Sequence, residues 1–445
     1  MIERAARLLL FLLPVAASVG PMIRIGPLAL ARVVVAGLVA LAVLLVWRRG
    51  ELPRVAVWLL LFLGAWMAWG IFRVHGEEGQ RELLSVAVGL LTLVATVSVA
   101  GRDTTSQRSD PMSWLRTSTR GWLLGWFAVS LPALWEISTG RHLWNYREDS
   151  APWIRLVATD AASYMVNPNL FAMFLAAAMG MLMVGWVVDS PRVRWLYAMA
   201  VVATPVIAWF TGSRLVILVL PLYLAGFLIQ FRWARWLAAA GAGLVMLAVV
   251  YVIPGVMAQP WGAPEPTGGS VAMREALYRN GWYMMWDTLG FGVGPGQFES
   301  QVLSGQAPYD TLGGPPNPHS GLFETGSQYG VVILVMGLAL FGAALVLSWP
   351  ALERRWTDPT WRRLRWLLLM LTLTCLPLSF ANSAWLDSSV AFVQMGGMAL
   401  MAHVLLEARI QPLPTWSGRG TAATLPTSRR LLRATLARTG RATTQ

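Results

Sequence analysis

Apolar runs long enough to cross a bilayer recur from the first residues of this chain to about residue 408, and that recurrence leaves few folds open. A spanning helix takes about 20 apolar residues. Twelve runs qualify as candidates, at roughly 5–20, 27–47, 55–72, 83–100, 121–135, 163–188, 194–210, 214–230, 233–253, 326–349, 364–380 and 390–408. Composition agrees: 56% of residues are hydrophobic and 13% charged, and a mean hydropathy of +0.55 excludes a water-soluble core in a polar shell. The expected fold is all-α, a polytopic integral membrane protein with about 12 transmembrane helices and one large external loop containing interfacial helices. Arg4 and Arg7 precede the first run as in a signal peptide, but Pro21-Met22-Ile23-Arg24 follows without an obvious small-x-small cleavage site, so the run reads as helix one.

Every basic residue is arginine. With the N-terminus in the cytoplasm, 25 of the 35 arginines fall on inside segments and 9 outside, with Arg32 within a span, while the acidic residues divide 8 inside to 14 outside. This is the positive-inside pattern. The net charge of +13 is then a topology signal, and nucleic-acid binding is unnecessary to explain it. The same topology puts loops 136–162 and 254–325 outside, with the Thr211-Gly212-Ser213 turn placing Arg214 at the outer end of a helix. The tail beyond Arg409, rich in Arg, Thr, Ser, Pro and Gly, reads as disordered and cytoplasmic. Cys375 is the only cysteine, which excludes an intramolecular disulfide and a cysteine-based metal cluster. His75, His142, His319 and His403 are too scattered to suggest a metal site by spacing, and no metal is expected.

The larger loop opens with a Pro/Gly-rich stretch to Gly269 and becomes helix-compatible from Val271 to Leu289, with Trp282 and Trp286 on one face. Arg274 and Arg279 are five residues apart, about 140° around a helix, so both cannot face one ligand without help. Gly290-Phe291-Gly292-Val293-Gly294-Pro295-Gly296 could cradle phosphate through its amides. No strand precedes it and no Lys-Ser/Thr follows, so a turn that folds the chain back is the favoured reading. The loop ends in Pro316-Asn317-Pro318-His319-Ser320-Gly321-Leu322-Phe323-Glu324, which places an imidazole where the chain re-enters the bilayer. A structural histidine and lipid-facing, snorkelling arginines are the plainer readings. Arg141, Arg147 and Arg155 could line an acceptor site or pair with Glu148, Asp149 and Asp160 on a solvated surface, and Glu324 or Asp387 could orient His319 or balance an arginine.

Four landmarks, taken in order, resemble the O-antigen ligase and polymerase superfamily of membrane glycan transferases over about residues 163–345. They are Asn167-Pro168-Asn169 before an apolar helix, Thr211-Gly212-Ser213-Arg214 opening another, Arg274 eighteen residues before Gly292-Val293-Gly294-Pro295-Gly296, and His319 eleven residues before Gly330. Two positions depart from the common pattern, Ser320 standing where Asn is usual and Tyr278 where Trp is usual. The resemblance implies transfer of a glycan from undecaprenyl pyrophosphate to an acceptor hydroxyl at the outer face of a bacterial plasma membrane, with both termini cytoplasmic. It implies no nucleotide sugar, metal or other cofactor. His319 would be the base, Arg214 and Arg274 the pyrophosphate ligands, and Arg279 a further candidate for that role. The implied partners are the lipid-linked donor, a glycan or lipid A-core acceptor and membrane lipids, without nucleic acid. The organisation that follows is an N-terminal helical region 1–162, a catalytic region 163–345, C-terminal helices 346–408 and the tail 409–445.

Ligase, polysaccharide polymerase and protein O-oligosaccharyltransferase differ in the acceptor, which nothing in the chain identifies. A transporter or flippase is the competing class. Internal repeats or ionisable groups at mid-membrane would favour it; no repeat is found, and Arg32 is the one charge clearly inside a span.

Overall fold

The computed structural model describes residues 1–25, 28–101, 111–143, 160–165, 167–231, 270–311, 316–349, 358–380, 385–386 and 388–410, with isolated positions between 234 and 243. Residues 1–405 form one compact unit, and a second begins at Leu406, of which the described part is the end of the last helix. The run 233–253 and the tail beyond 410 lie mostly or wholly outside the described residues.

The fold is all-α, apart from an antiparallel pair of two-residue strands, Arg24–Ile25 with Leu28–Ala29. The helices are α1 (Ile2–Ser18), α2 (Leu30–Arg49), α3 (Arg54–Arg73), α4 (Gly76–Val99), α5 (Pro111–Thr139), α6 (Pro168–Val188), α7 (Pro191–Trp209), α8 (Arg214–Leu228), α9 (Ser270–Asp287), α10 (Gln297–Leu303), α11 (Gly321–Ser348), α12 (Pro359–Leu378) and α13 (Ser389–Ile410). Every apolar run other than 233–253 is thus a helix. Among the described residues, α2, α3, α4, α6, α11 and α13 are long and apolar enough to cross a membrane, six against the twelve expected. Helices α1 and α8 are shorter, at 17 and 15 residues.

Helix α6 is the centre of the bundle, packed against α5, α7, α8 and α12 and buried almost throughout. Its start is fixed locally, because the Asn167 side chain accepts the Asn169 N–H at 2.7 Å and satisfies one donor that a helix N-terminus leaves open. Small residues let neighbours close in: Gly180 faces the Leu371 side chain, and Gly121 on α5 meets the Phe11 carbonyl of α1. Where α6 ends, Arg120 grips Asp189 with two bonds of 2.7 Å and Tyr197 donates to the same carboxylate at 3.1 Å. Burial raises the Asp189 carboxyl, but these donors hold it below the usual carboxylate range.

Candidate active site

Helix α11 is not continuous. Gly330 interrupts it at φ 82°, ψ 176°, a region that is essentially glycine's alone. A broken helix leaves backbone groups without partners, and the glycine-rich loop supplies them. The N–H groups of Val293 and Gly294 donate to the Ser327 and Gln328 carbonyls at 2.7 and 2.9 Å, and the Val331 N–H donates to the Gly290 carbonyl at 2.8 Å. Gly292 must lack a side chain for this approach, since a Cβ there would stand 2.6 Å from Gln328 O. The Arg73 guanidinium donates to the Gly292 carbonyl from α3. The Val293 and Gly294 amides are therefore spent on α11. The loop is a backbone splice that folds the chain against α11, as the turn reading expected, and Val293 and Gly294 are committed away from phosphate.

The splice fixes the first half of α11, and the segment just before it carries His319. The Asn317 side chain accepts the His319 N–H at 3.1 Å and itself donates to Glu299 on α10 at 3.2 Å. This Asx turn holds His319 at φ 49°, a conformation that costs most L-residues about 1–2 kcal/mol. Gly321 then donates to the Ser379 carbonyl at 3.1 Å, and a Cβ on it would meet the Trp385 ring at 2.6 Å. Both ring nitrogens of His319 are buried, with no hydrogen-bond partner among the described residues. Burial, and then the charge of Arg274, lower its pKa to about 4. At neutral pH it is an uncharged imidazole beside a guanidinium.

Arg274 reaches this position because α9 is clamped on both sides. On one side Met273, Leu277 and Met284 pack on Phe298 and Val302 of α10. On the other, Tyr278 stacks on Phe323 of α11 with ring centroids 4.9 Å apart and meets the edge of Phe380. Burial pushes the Tyr278 phenol up, and nearby Arg274 partly offsets it. The Arg274 Nε is buried and has no partner among the described residues. Arg279 faces elsewhere, as the 140° separation requires: it pairs with Glu275 and lies over the Tyr309 ring at 5.7 Å. The structure brings Arg274 to His319 and leaves Arg279 on a different surface.

The backbone of Arg214 opens α8 after a turn in which Gly212 has φ 66°; its side chain lies outside the described residues. A Cβ on Gly212 would stand 3.2 Å from the Asp160 carboxylate, which burial pushes up despite nearby His142. The turn thus meets the end of the first loop, where Ala161 N–H donates to Phe210 O at 2.7 Å. Arg147, Arg155 and Asp387 lie outside the described residues. Glu324 is buried and accepts the Leu386 N–H at 3.3 Å, so it braces the 385–386 turn.

Three supports were not foreseen. Glu299 anchors Asn317. Glu136 accepts the N–H groups of Ala162 and Ser163 at 2.9 and 2.6 Å, tying the loop's end to α5. Tyr329 donates to Glu82 of α4 at 2.9 Å beside the splice. Only the first had a local signal, the Pro-Asn-Pro-His turn itself.

No curated protein matches this chain. Residues 198–338 match the family model described as O-antigen ligase, a stretch that contains Arg214, Arg274, the glycine splice and His319. Over that region the chain is similar to the O-antigen ligase family of membrane glycan transfer.

Proposed function

We propose that this chain transfers a glycan from undecaprenyl pyrophosphate to a hydroxyl of a glycan or lipid A-core acceptor, at the outer face of the bacterial plasma membrane. The observation that carries the reading is the neutral imidazole of His319 beside Arg274, without a hydrogen-bond partner among the described residues. A sugar hydroxyl is a poor nucleophile and needs a base within reach of its proton. The acceptor oxygen forms a bond to the anomeric carbon, the bond from that carbon to the pyrophosphate oxygen breaks with its electron pair, and the acceptor proton passes to His319. Charge develops on the departing pyrophosphate. Arginine's fixed fork matches phosphate oxygens, so Arg274, with Arg214 from the start of α8, stabilises the leaving group without a general acid or a divalent ion. Catalysis of this kind needs no cofactor.

The test is reconstitution in proteoliposomes with lipid-linked glycan isolated from cells that lack this chain. The expected result is acceptor-dependent release of undecaprenyl pyrophosphate; movement of intact donor across the bilayer, with no bond broken, would show a flippase instead. Arg274→Gln should lower kcat/KM by about 10²-fold, the usual loss when one charge-stabilising donor is removed from a transition state. A loss under threefold would remove Arg274 from the reaction.

The pH dependence follows from the depressed pKa. A base works only when unprotonated, so the acid limb of kcat/KM, which reports the free enzyme, should lie near pH 4 rather than near 6.5. In kcat the limb should move up, because bound pyrophosphate offsets the Arg274 charge. Arg274→Gln should raise the limb of kcat/KM as well, but only in part, since burial is the larger cause. A limb near 6.5 in the intact protein would contradict the buried setting of His319.

A further inference from the structure

One surface of α9 forms an open groove of about 720 Å³, within the range of about 300–1,000 Å³ common for small-ligand sites. Its wall is aromatic. Trp282 and Trp286 are half exposed and lie edge to face at 5.5 Å, Tyr309 stands opposite, and the stacked pair Tyr278 and Phe323 closes one side. Glu275, Arg279 and Asp287 interrupt this wall. Tyr309 is not a loose loop residue: its backbone is held at both N–H and C=O by the side chain of Asn280, fully buried on α9, at 3.0 and 2.8 Å. The groove is built.

We infer that this groove is a saccharide-binding subsite that holds sugar rings of the transferred glycan beyond the one that reacts; the inference rests on the glycan-transfer reading proposed above. A pyranose presents an apolar C–H face and a rim of hydroxyls. Exposed indole and phenol rings offer flat apolar surface with a polar edge, while two carboxylates and a guanidinium accept from and donate to hydroxyls. Continuity with the reacting centre supports the assignment. Arg274 and Tyr278 are one turn apart on α9, and Phe323 lies four residues after His319, so the Tyr278–Phe323 pair is the wall common to both.

A bilayer surface is the other occupant for exposed tryptophans, and α9 is poorly built for it. A helix lying in an interface gathers its apolar side chains on one face and charge on the other. In α9 Met273, Leu277 and Met284 turn into the protein, and Trp282 and Trp286 share the outward surface with Glu275, Arg279 and Asp287. The two acidic groups also repel anionic headgroups.

Hydroxyl-radical footprinting of the full chain in nanodiscs of phosphatidylethanolamine and phosphatidylglycerol tests this residue by residue. The probe is the donor's glycan freed from its pyrophosphate by mild acid. Trp282 and Trp286 should be labelled in nanodiscs alone and protected by the free glycan. Protection by lipid alone would assign the face to the membrane and overturn the inference, as would labelling that the glycan leaves unchanged. In turnover, Trp282→Ala should raise the donor KM about tenfold with kcat changed less than threefold, and Trp282→Tyr should recover most of the loss. His319→Ala should abolish transfer yet keep the footprint. If His319→Ala transfers normally while the footprint holds, the transfer mechanism fails and the subsite stands; if transfer depends on His319 and the footprint is missing, the subsite alone fails.

Discussion

His319→Ala lowers kcat by about 10²–10⁴-fold, the usual contribution of a positioned general base, and leaves the thermal midpoint close to that of the intact protein. The two halves of this expectation have separate causes. The imidazole makes no hydrogen bond among the described residues, so its removal orphans no partner. The turn that carries it is held through its backbone, by the bond from the His319 N–H to Asn317, and an alanine keeps that donor. His319→Asn sharpens the test. Asparagine tolerates the left-handed backbone at φ 49° better than most residues, so this variant should be at least as stable as the parent and equally inactive. A residue strained in place, with no hydrogen bond to its ring among the described residues, is what a reaction needs and a fold does not. The measurement is acceptor-dependent lipid pyrophosphate release alongside thermal unfolding in detergent. Retention of more than about a tenth of the turnover in His319→Ala would falsify the role of base, and an equally inactive but unfolded protein would move the residue from chemistry to structure.

The family landmarks were legible because each is a short-range device. Asn167 caps α6 within two residues, Thr211-Gly212-Ser213 turns within three, and helical periodicity alone separates Arg274 from Arg279. Apolarity located the helices for the same reason. What sequence could not give are contacts between distant segments. Tyr329 and Glu82 are 247 positions apart, and nothing near either one announces the pair. Glu136 reads as the first residue of an external loop, yet it lies in α5 and its carboxylate organises residues 26 and 27 positions away. The break in α11 was hidden more deeply. Gly330 stands in a run whose composition predicts an unbroken helix, and the signal for the break lies in another segment, the glycines at 290, 292 and 294. Read alone, those glycines suggest a phosphate cradle as readily as a splice. The choice is made only when the unpaired carbonyls of Ser327 and Gln328 appear opposite their amides.

Gly330→Ala should therefore be severely damaging. At φ 82°, ψ 176° an alanine is strained whatever surrounds it, and its Cβ would also fall 2.7 Å from the Phe291 carbonyl carbon, against backbone that cannot swing aside. Two outcomes are open to the chain, and both undo the site. If the splice holds, it carries strain and overlap together, the kind of combination that exceeds about 4 kcal/mol. If α11 instead closes into a regular helix, the Val331 N–H turns to its own helix and the loop is expelled. The amides of Val293 and Gly294 and the Arg73 guanidinium then lose the partners they have now, and the half-helix that follows His319 is re-aimed. Gly337→Ala is the control from the same helix. Its Cβ would meet only the Phe62 ring at an ordinary 3.6 Å, so it should be neutral or stabilising by about 0.5–1 kcal/mol. Thermal unfolding followed by size-exclusion chromatography separates the cases: Gly330→Ala should aggregate or unfold well below the parent while Gly337→Ala matches or exceeds it. Equal midpoints for the two variants would mean that the glycine splice does not hold the break in α11, and with it that His319 is positioned by something other than that splice.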